Sequence, residues 1–192
     1  MVGFFYDTEV QAMKIIIPGG SGMVGSLASA RLAAKGHRVI ILSRDPQAAK
    51  ATGLPAGVEA RGWDAATGQG WSELIDSDTA IINLVGENLA SGRWTPAQKK
   101  RIIDSRVNAG KAIVQAVQQA KEKPAVVLQV SGVGYYGPSQ GEIITESAPA
   151  GTDFPAQVCQ AWEDASQPVE ALGVRRVVMR TGVVLSTRGG AL

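Results

Sequence analysis

Cysteine, histidine and aromatic side chains are scarce in this chain of 192 residues, and each scarcity excludes a class of chemistry. Cys159 and His37 are each the sole residue of their kind, so neither a disulfide framework nor a Cys/His zinc site can be built within one chain. A serine or cysteine nucleophile would have to take His37 as its base. That histidine lies in a Lys35-Gly36-His37-Arg38 turn signal, at the wrong end of the strand it precedes, and is expected to be a surface turn residue. Aromatic residues make up 5% of the chain, and 19 basic against 17 acidic residues leave a net charge of +2. Scattered charge with few stacking platforms argues against a nucleic-acid partner. The densest basic run, Lys99-Lys100-Arg101, reads as a solvated helix face. No apolar run is long enough to span a membrane, and the N-terminus lacks a basic segment followed by an apolar one, so a cytoplasmic protein is expected.

What is present is enough apolar material, 45% of residues, for one sizeable core. Residues 1–12 show no clear period and are expected to be an N-terminal extension. From Met13 onward, short β-branched runs alternate with helical stretches, the signature of βαβ units around a parallel sheet. Strands are expected at Lys14–Ile17, Arg38–Leu42, Val58–Arg61, Ala80–Val85, Ala125–Val130 and Val174–Met179. Helices are expected at Gly22–Lys35, from Pro96 to about Glu122 with a break, and over Phe154–Leu172. The stretches from Asp45 to Gly57 and from Ser131 to Asp153 read as long connections. The fold class is α/β, a Rossmann-like doubly wound parallel sheet with helices on both faces.

Between the first strand and the first helix stands Gly20-Ser21-Gly22-Met23-Val24-Gly25, which fits G-x-G-x-x-G, and Gly19, Gly22 and Gly25 also recur at three-residue spacing. A strand before it and a helix after it give the context of a dinucleotide loop. Glycines let backbone N–H groups and the positive end of a helix approach a pyrophosphate. Gly20 and Gly25 have the spacing of a nucleotide-triphosphatase loop, but Ser26 stands where that loop needs lysine. About twenty residues further on, NAD-binding chains place Asp or Glu against the ribose 2′-hydroxyl. This chain has Ser43-Arg44, a hydroxyl and a guanidinium suited to a 2′-phosphate, so NADP(H) is the expected cofactor, with Asp45 leaving one carboxylate nearby.

The chain resembles the short-chain dehydrogenase/reductase superfamily, specifically its extended members with a sugar-nucleotide epimerase layout, and within them an atypical branch of epimerase family proteins. The resemblance is carried by Pro18 to Gly25, Ser43-Arg44, Asn83 to Asn88, Arg93-Trp94 and Asp104-Ser105-Arg106. It continues through Ser131 to Gly137, Val158-Cys159, Trp162-Glu163 and Arg180 to Leu185, in order over residues 13–192. It implies further cofactor contacts at Leu84, Val85 and Gly86 after strand four, at Trp63-Asp64 flanking the adenine, at Arg106 near the phosphates and at Val184 near the nicotinamide. It also implies an NADP-binding Rossmann domain over residues 13–192, without the C-terminal substrate domain that extended members carry.

The superfamily works with a Tyr-x-x-x-Lys pair, the lysine helping the phenol to shuttle a proton. Here the tyrosines are Tyr6, Tyr135 and Tyr136, followed four residues later by Val10, Ser139 and Gln140, and no lysine follows Lys123. Ser131, which matches the superfamily's catalytic Ser/Thr position, and Tyr136 are the catalytic candidates; both tyrosines read equally well as amphipathic loop anchors. Cys159, with no base nearby, reads as a small buried hydrophobe. The expected function is the NADP(H)-binding domain of a sugar-nucleotide epimerase or oxidoreductase, with a small-molecule substrate, a nucleotide sugar for example, and self-association into a homo-oligomer as a further expectation. The competing reading is a non-catalytic NADP(H)-binding or redox-sensing module.

Overall fold

The computed structural model describes residues 11–51, 53–90, 92–139 and 141–186. Most of the expected N-terminal extension, residues 1–10, lies outside the described residues. Six strands, β1 (Lys14–Pro18), β2 (Arg38–Ser43), β3 (Val58–Gly62), β4 (Thr79–Asn83), β5 (Val126–Gly132) and β6 (Arg175–Thr181), form one sheet in the order β3-β2-β1-β4-β5-β6. All five neighbouring pairs run parallel. Four α-helices, α1 (Met23–Ala34), α2 (Pro46–Ala51), α3 (Pro96–Gln119) and α4 (Phe154–Ser166), connect them.

Runs such as Ile15-Ile16-Ile17 and Val39-Ile40-Ile41-Leu42 make these strands because alternate side chains fill two separate cores, as a sheet covered on both faces requires. Ile15, Ile17, Val39 and Ile41 pack with Leu32 of α1 and Ala49 of α2. Ile16, Ile40, Leu42 and Ile81 pack with Ala109, Ile113 and Val117 of α3 on the opposite face. The expected doubly wound architecture is therefore present.

α3 starts where Thr95 accepts a hydrogen bond from the Gln98 N–H at 3.2 Å and Pro96 occupies the first turn. It stops where Ala120 turns extended, and Lys123 Nζ donates to the free carbonyls of Val117 and Ala120. A Cβ on Gly110 would come within 2.6 Å of Ala165 Cβ, so that glycine allows α3 and α4 to touch.

Several expectations are corrected. α3 runs unbroken over 24 residues and ends before Glu122. The connection after Asp45 contains α2, because the Asp45 carboxylate accepts the Ala48 N–H at 2.8 Å and caps it. α4 ends at Ser166 and passes into a 3-10 segment to Leu172, since Pro168 cannot supply an α-helical N–H. β4 ends at Asn83, two residues early, because the Asn83 side chain takes the Val85 N–H and turns the chain out of the sheet. β6 extends two residues beyond expectation and brings Arg180 and Thr181 into the sheet. His37 is not a surface residue: it is 8% exposed, and its Nδ1 accepts the Met13 N–H at 3.1 Å. Among the described residues no helix is long and apolar enough to cross a membrane.

Candidate functional site

Between β1 and β4 the strand order reverses, and open α/β sheets hold their ligands at that crevice, beyond the C-terminal strand ends. A cleft of about 840 Å³ lies there. Its floor is the glycine turn. Gly19 has a φ of 77°, and a Cβ on it would press to 3.0 Å on the backbone of Leu84 and Val85. Gly25 packs its Cα side on Gly20, where a Cβ would sit 2.6 Å from the Gly20 Cα. Gly22 precedes α1 without any side-chain cap, so the first-turn N–H groups of Met23, Val24 and Gly25 have no intrahelical partner. Gly19, Ser21 and Gly22 line the cleft, with the first turn of α1 behind them. Val24 is 41% exposed.

At the β2 end, Ser43, Arg44 and Asp45 line the same cleft. The Ser21 hydroxyl donates to the Ser43 hydroxyl at 3.4 Å, and Ser43 donates to the Asp45 carbonyl at 3.1 Å. Arg44 is exposed and makes no ion pair or hydrogen bond among the described residues. The Asp45 carboxylate, committed to the N-terminus of α2, does not compete for it. Trp63 and Asp64 form the next wall. Trp63 is largely core: its ring meets Trp71 edge-on at 6.0 Å, and both indole N–H groups donate to the Thr67 carbonyl. The Asp64 carboxyl is held below its ordinary range by the N–H groups of Ala66 and Thr67, which brace the turn.

Leu84, Val85 and Gly86 line the opposite side, on a loop past β4 rather than within the strand. Ser105 and Asn108 of α3, three residues apart on one helix face, complete this wall together with Glu87. Sequence reasoning missed both α3 residues, though their spacing beside Arg106 was a usable signal. Arg106 itself does not line the cleft. It is 5% exposed and lies behind Gly86, its Nη1 donating to the Glu87 and Ile102 carbonyls and its guanidinium lying 4.6 Å from the Trp162 ring centre. Burial lowers its pKa to about 10.

Ser131 and Tyr136 lie around the end of β5, outside the cleft lining. Ser131 is 2% exposed, and its hydroxyl has no hydrogen-bond partner of normal geometry, although it sits near enough to Cys159 to favour the thiolate. Burial outweighs that influence and pushes the Cys159 thiol up. The thiol donates to the Gly132 carbonyl at 3.6 Å, consistent with a buried cysteine. Tyr135 and Tyr136 belong to a 3-10 turn, Val133–Tyr136, and meet edge to face at 5.2 Å.

Arg180, the ladder partner of Ser131, donates to the Tyr136 hydroxyl oxygen at 2.8 Å and lies 3.4 Å from the Tyr135 ring centre. Glu163 of α4 grips Arg180 with both oxygens, at 2.9 and 2.8 Å, and these bonds raise the pKa of Arg180. This Glu163–Arg180–Tyr136 chain was not expected, because the interacting residues are 17 and 44 positions apart in sequence. Val184 lies three residues beyond β6, 40% exposed and outside the cleft lining. Among the described residues, no group of acids, His and Cys could hold a metal ion.

Residues 15–178 match the model of the NAD dependent epimerase/dehydratase family. The epimerase family protein Mb2239 of Mycobacterium bovis is 36% identical over 178 residues, spanning 93% of this chain and 56% of the relative. Human epimerase family protein SDR39U1, solved with NADPH, superposes with a TM-score of 0.76 at 32% identity over 93% of this chain and 57% of its own. A nucleoside-diphosphate sugar epimerase from Corynebacterium glutamicum gives 0.74 at 33% identity, over 94% and 36% of the two chains. The chain thus spans a little over half the length of the curated relatives it matches.

Proposed function

Because this chain belongs to the NAD dependent epimerase/dehydratase family, we propose that its cleft binds NADP(H) and that it is the cytoplasmic cofactor domain of an epimerase or oxidoreductase acting on a nucleotide sugar. The observation that carries the choice of NADP(H) is Arg44, an unpaired guanidinium on the cleft beside the hydroxyls of Ser21 and Ser43. An NAD site would place a carboxylate there. The nearest one, on Asp45, instead caps α2, whose first-turn N–H offsets part of the repulsion a 2′-phosphate would meet. The human relative was solved with NADPH, and the Corynebacterium relative is a nucleoside-diphosphate sugar epimerase by name.

Around the cofactor each element has a role. The uncapped start of α1 meets the pyrophosphate, Trp63 and Asp64 flank the adenine, Leu84, Val85 and Gly86 bound the nicotinamide half, and Val184 belongs to the nicotinamide end of the same reading. When bound, NADP(H) supplies hydride transfer. Ser131 and Tyr136 are the proposed catalytic pair. Arg180 donates to the Tyr136 oxygen, which leaves the phenol's own O–H free to point at a ligand.

One observation favours a second reading, NADP(H) binding without chemistry: the tyrosines have no lysine four residues on. Calorimetric titration with NADPH and, separately, NADH at low ionic strength tests the cofactor reading. Tight NADPH binding with clear preference over NADH is expected, and equal affinity for both would refute the Arg44 argument. Measurable hydride exchange with a carbonyl substrate would remove the second reading.

A further inference from the structure

Arg106 is a buried cation without an anion. Burying a guanidinium is costly unless a counter-charge or a full set of acceptors meets it. Among the described residues no carboxylate reaches it within ion-pair distance, and the nearby acid Glu87 gives its Oε1 to Gln98 at 2.9 Å and to Arg101 at 3.5 Å. Both hydrogen bonds that Arg106 makes, at 2.9 and 3.0 Å, leave from Nη1 alone. Its Nε is buried with no partner, and Nη2 makes no hydrogen bond among the described residues.

The N–H groups of Nε and Nη2 share one edge of the guanidinium plane, the edge that takes a carboxylate bidentately. The same chain shows that grip in use, where Nε and Nη2 of Arg180 hold the two oxygens of Glu163. In Arg106 the equivalent edge holds nothing.

One more buried donor close by lacks a partner. Trp162 lies against the Arg106 guanidinium and leaves its own Nε1–H unpartnered. Guanidinium and indole N–H groups only donate, so what is missing is an acceptor. Cys159 does not serve as the anion, since burial keeps its thiol protonated. Gly86 alone separates the guanidinium from the proposed cofactor cleft that it lines: a Cβ there would lie 2.8 Å from Cζ and Nη2 of Arg106 and 3.1 Å from Nε, so only glycine permits this close approach.

We propose that the unused Nε–Nη2 edge of Arg106, with the Trp162 donor beside it, binds the carboxylate of a small-molecule substrate, which makes that substrate an acid. The proposal rests on the cofactor reading for its place next to the cleft. The two coplanar oxygens of a carboxylate match the planar edge; a cofactor phosphate, which the same edge can take bidentately, is told apart by the NADPH arm of the titration.

The test is NMR of the Arg106 Nε–H and the Trp162 indole N–H while the chain is titrated with acetate, with acetamide and chloride as controls and with and without NADPH. Trp162 is one of four tryptophans, and Trp162→Phe assigns its signal. Saturable shifts of both signals with acetate, absent with acetamide and chloride, are expected, with Arg106→Lys weakening acetate at least tenfold. No saturable shift, or equal shifts with chloride, overturns the proposal, and the wild-type titration decides this even if the variant does not fold. If NADPH alone reproduces the shifts and abolishes the response to acetate, Arg106 serves a cofactor phosphate, which overturns the substrate site while the cofactor reading stands. Acetate binding without any NADPH binding supports the subsite and sinks the cofactor reading instead.

Discussion

Replacing Arg44 with alanine separates recognition of the 2′-phosphate from recognition of everything else in the cofactor. Arg44 is exposed and makes no ion pair or hydrogen bond among the described residues, so its removal leaves the glycine turn, α2 and the Ser43 hydrogen bonds as they are. A hydrogen bond to a charged group contributes about 1.5–3 kcal/mol when desolvated, and an exposed ion pair about 0.2–1 kcal/mol. Arg44 stands exposed on an open cleft, which places its contribution between these two ranges, about 1–1.5 kcal/mol. That is roughly a tenfold loss of NADPH affinity. NADH, which lacks the phosphate, should change by no more than about twofold, a few tenths of a kcal/mol. Calorimetry of both cofactors against wild type and Arg44→Ala measures the four constants, and repetition at high salt should shrink the wild-type preference as screening shortens the reach of the guanidinium. Equal weakening of NADPH and NADH would show that Arg44 acts on the fold or the ribose, and the argument from the missing carboxylate would fail. Asp45→Asn is the companion. Asparagine caps a helix as well as aspartate does, so α2 and the NADPH preference should both survive it.

Three further outcomes follow from other parts of the structure. Gly25→Ala drives a methyl into Gly20 backbone atoms at 2.6 to 2.7 Å, which cannot yield as a side chain can; overpacking of about 1–3 kcal/mol should lower the melting temperature by several degrees and abolish NADPH binding, and unchanged calorimetry would contradict the close approach. Asp153 caps α4 by accepting the Ala156 N–H at 3.0 Å, so Asp153→Ala should cost about 1 kcal/mol, or about 2–4 °C, in a thermal melt. Asp76 has its pKa lowered, first by its hydrogen bond from Lys14 and then by Thr79, so its stabilisation is complete above the ordinary value of 3.8 and is lost as pH falls through the lower folded value. Asp76→Asn should therefore lie closest to wild type in acid and furthest from it near neutral pH, and a constant difference between the two stability curves would refute the assignment.

The sheet was legible because its signals are local. A continuous isoleucine run reads as a strand buried on both faces, and a glycine turn between such a run and an Ala-rich helix reads as a phosphate loop, whatever the rest of the chain does. Where the reading failed, a side chain acted over a distance or against the local pattern. Asp45 made a helix out of a Pro/Gly-punctuated stretch by capping it, and Asn83 ended β4 inside an apolar run by capturing the Val85 N–H. His37 looked like turn punctuation and instead received the first N–H of the described core. Ser43-Arg44 could be placed on the cleft because the end of β2 has one location in a doubly wound sheet. Arg106 could not, because the face of a long helix a residue occupies is set by the partner helix, here through Trp162.

α4 explains why the familiar tyrosine and lysine are missing without the site being empty. The helix turns Cys159, Trp162 and Glu163 toward the ends of β5 and β6, and all three are buried. Glu163 takes up Arg180, which would otherwise be a free cation beside Tyr136, and fixes it so that it donates to the phenol oxygen. Trp162 covers Arg106, which has no acid of its own. The two arginines thus differ in one respect: one is neutralised from within the chain and the other waits for charge from outside. A purely structural helix would gain by pairing both, since an unpaired buried guanidinium is a standing cost to stability. Keeping Arg106 unpaired while leaving position 86 without a side chain makes physical sense if an acceptor arrives from the cleft side, and it is this asymmetry that favours a working site over a passive cofactor module.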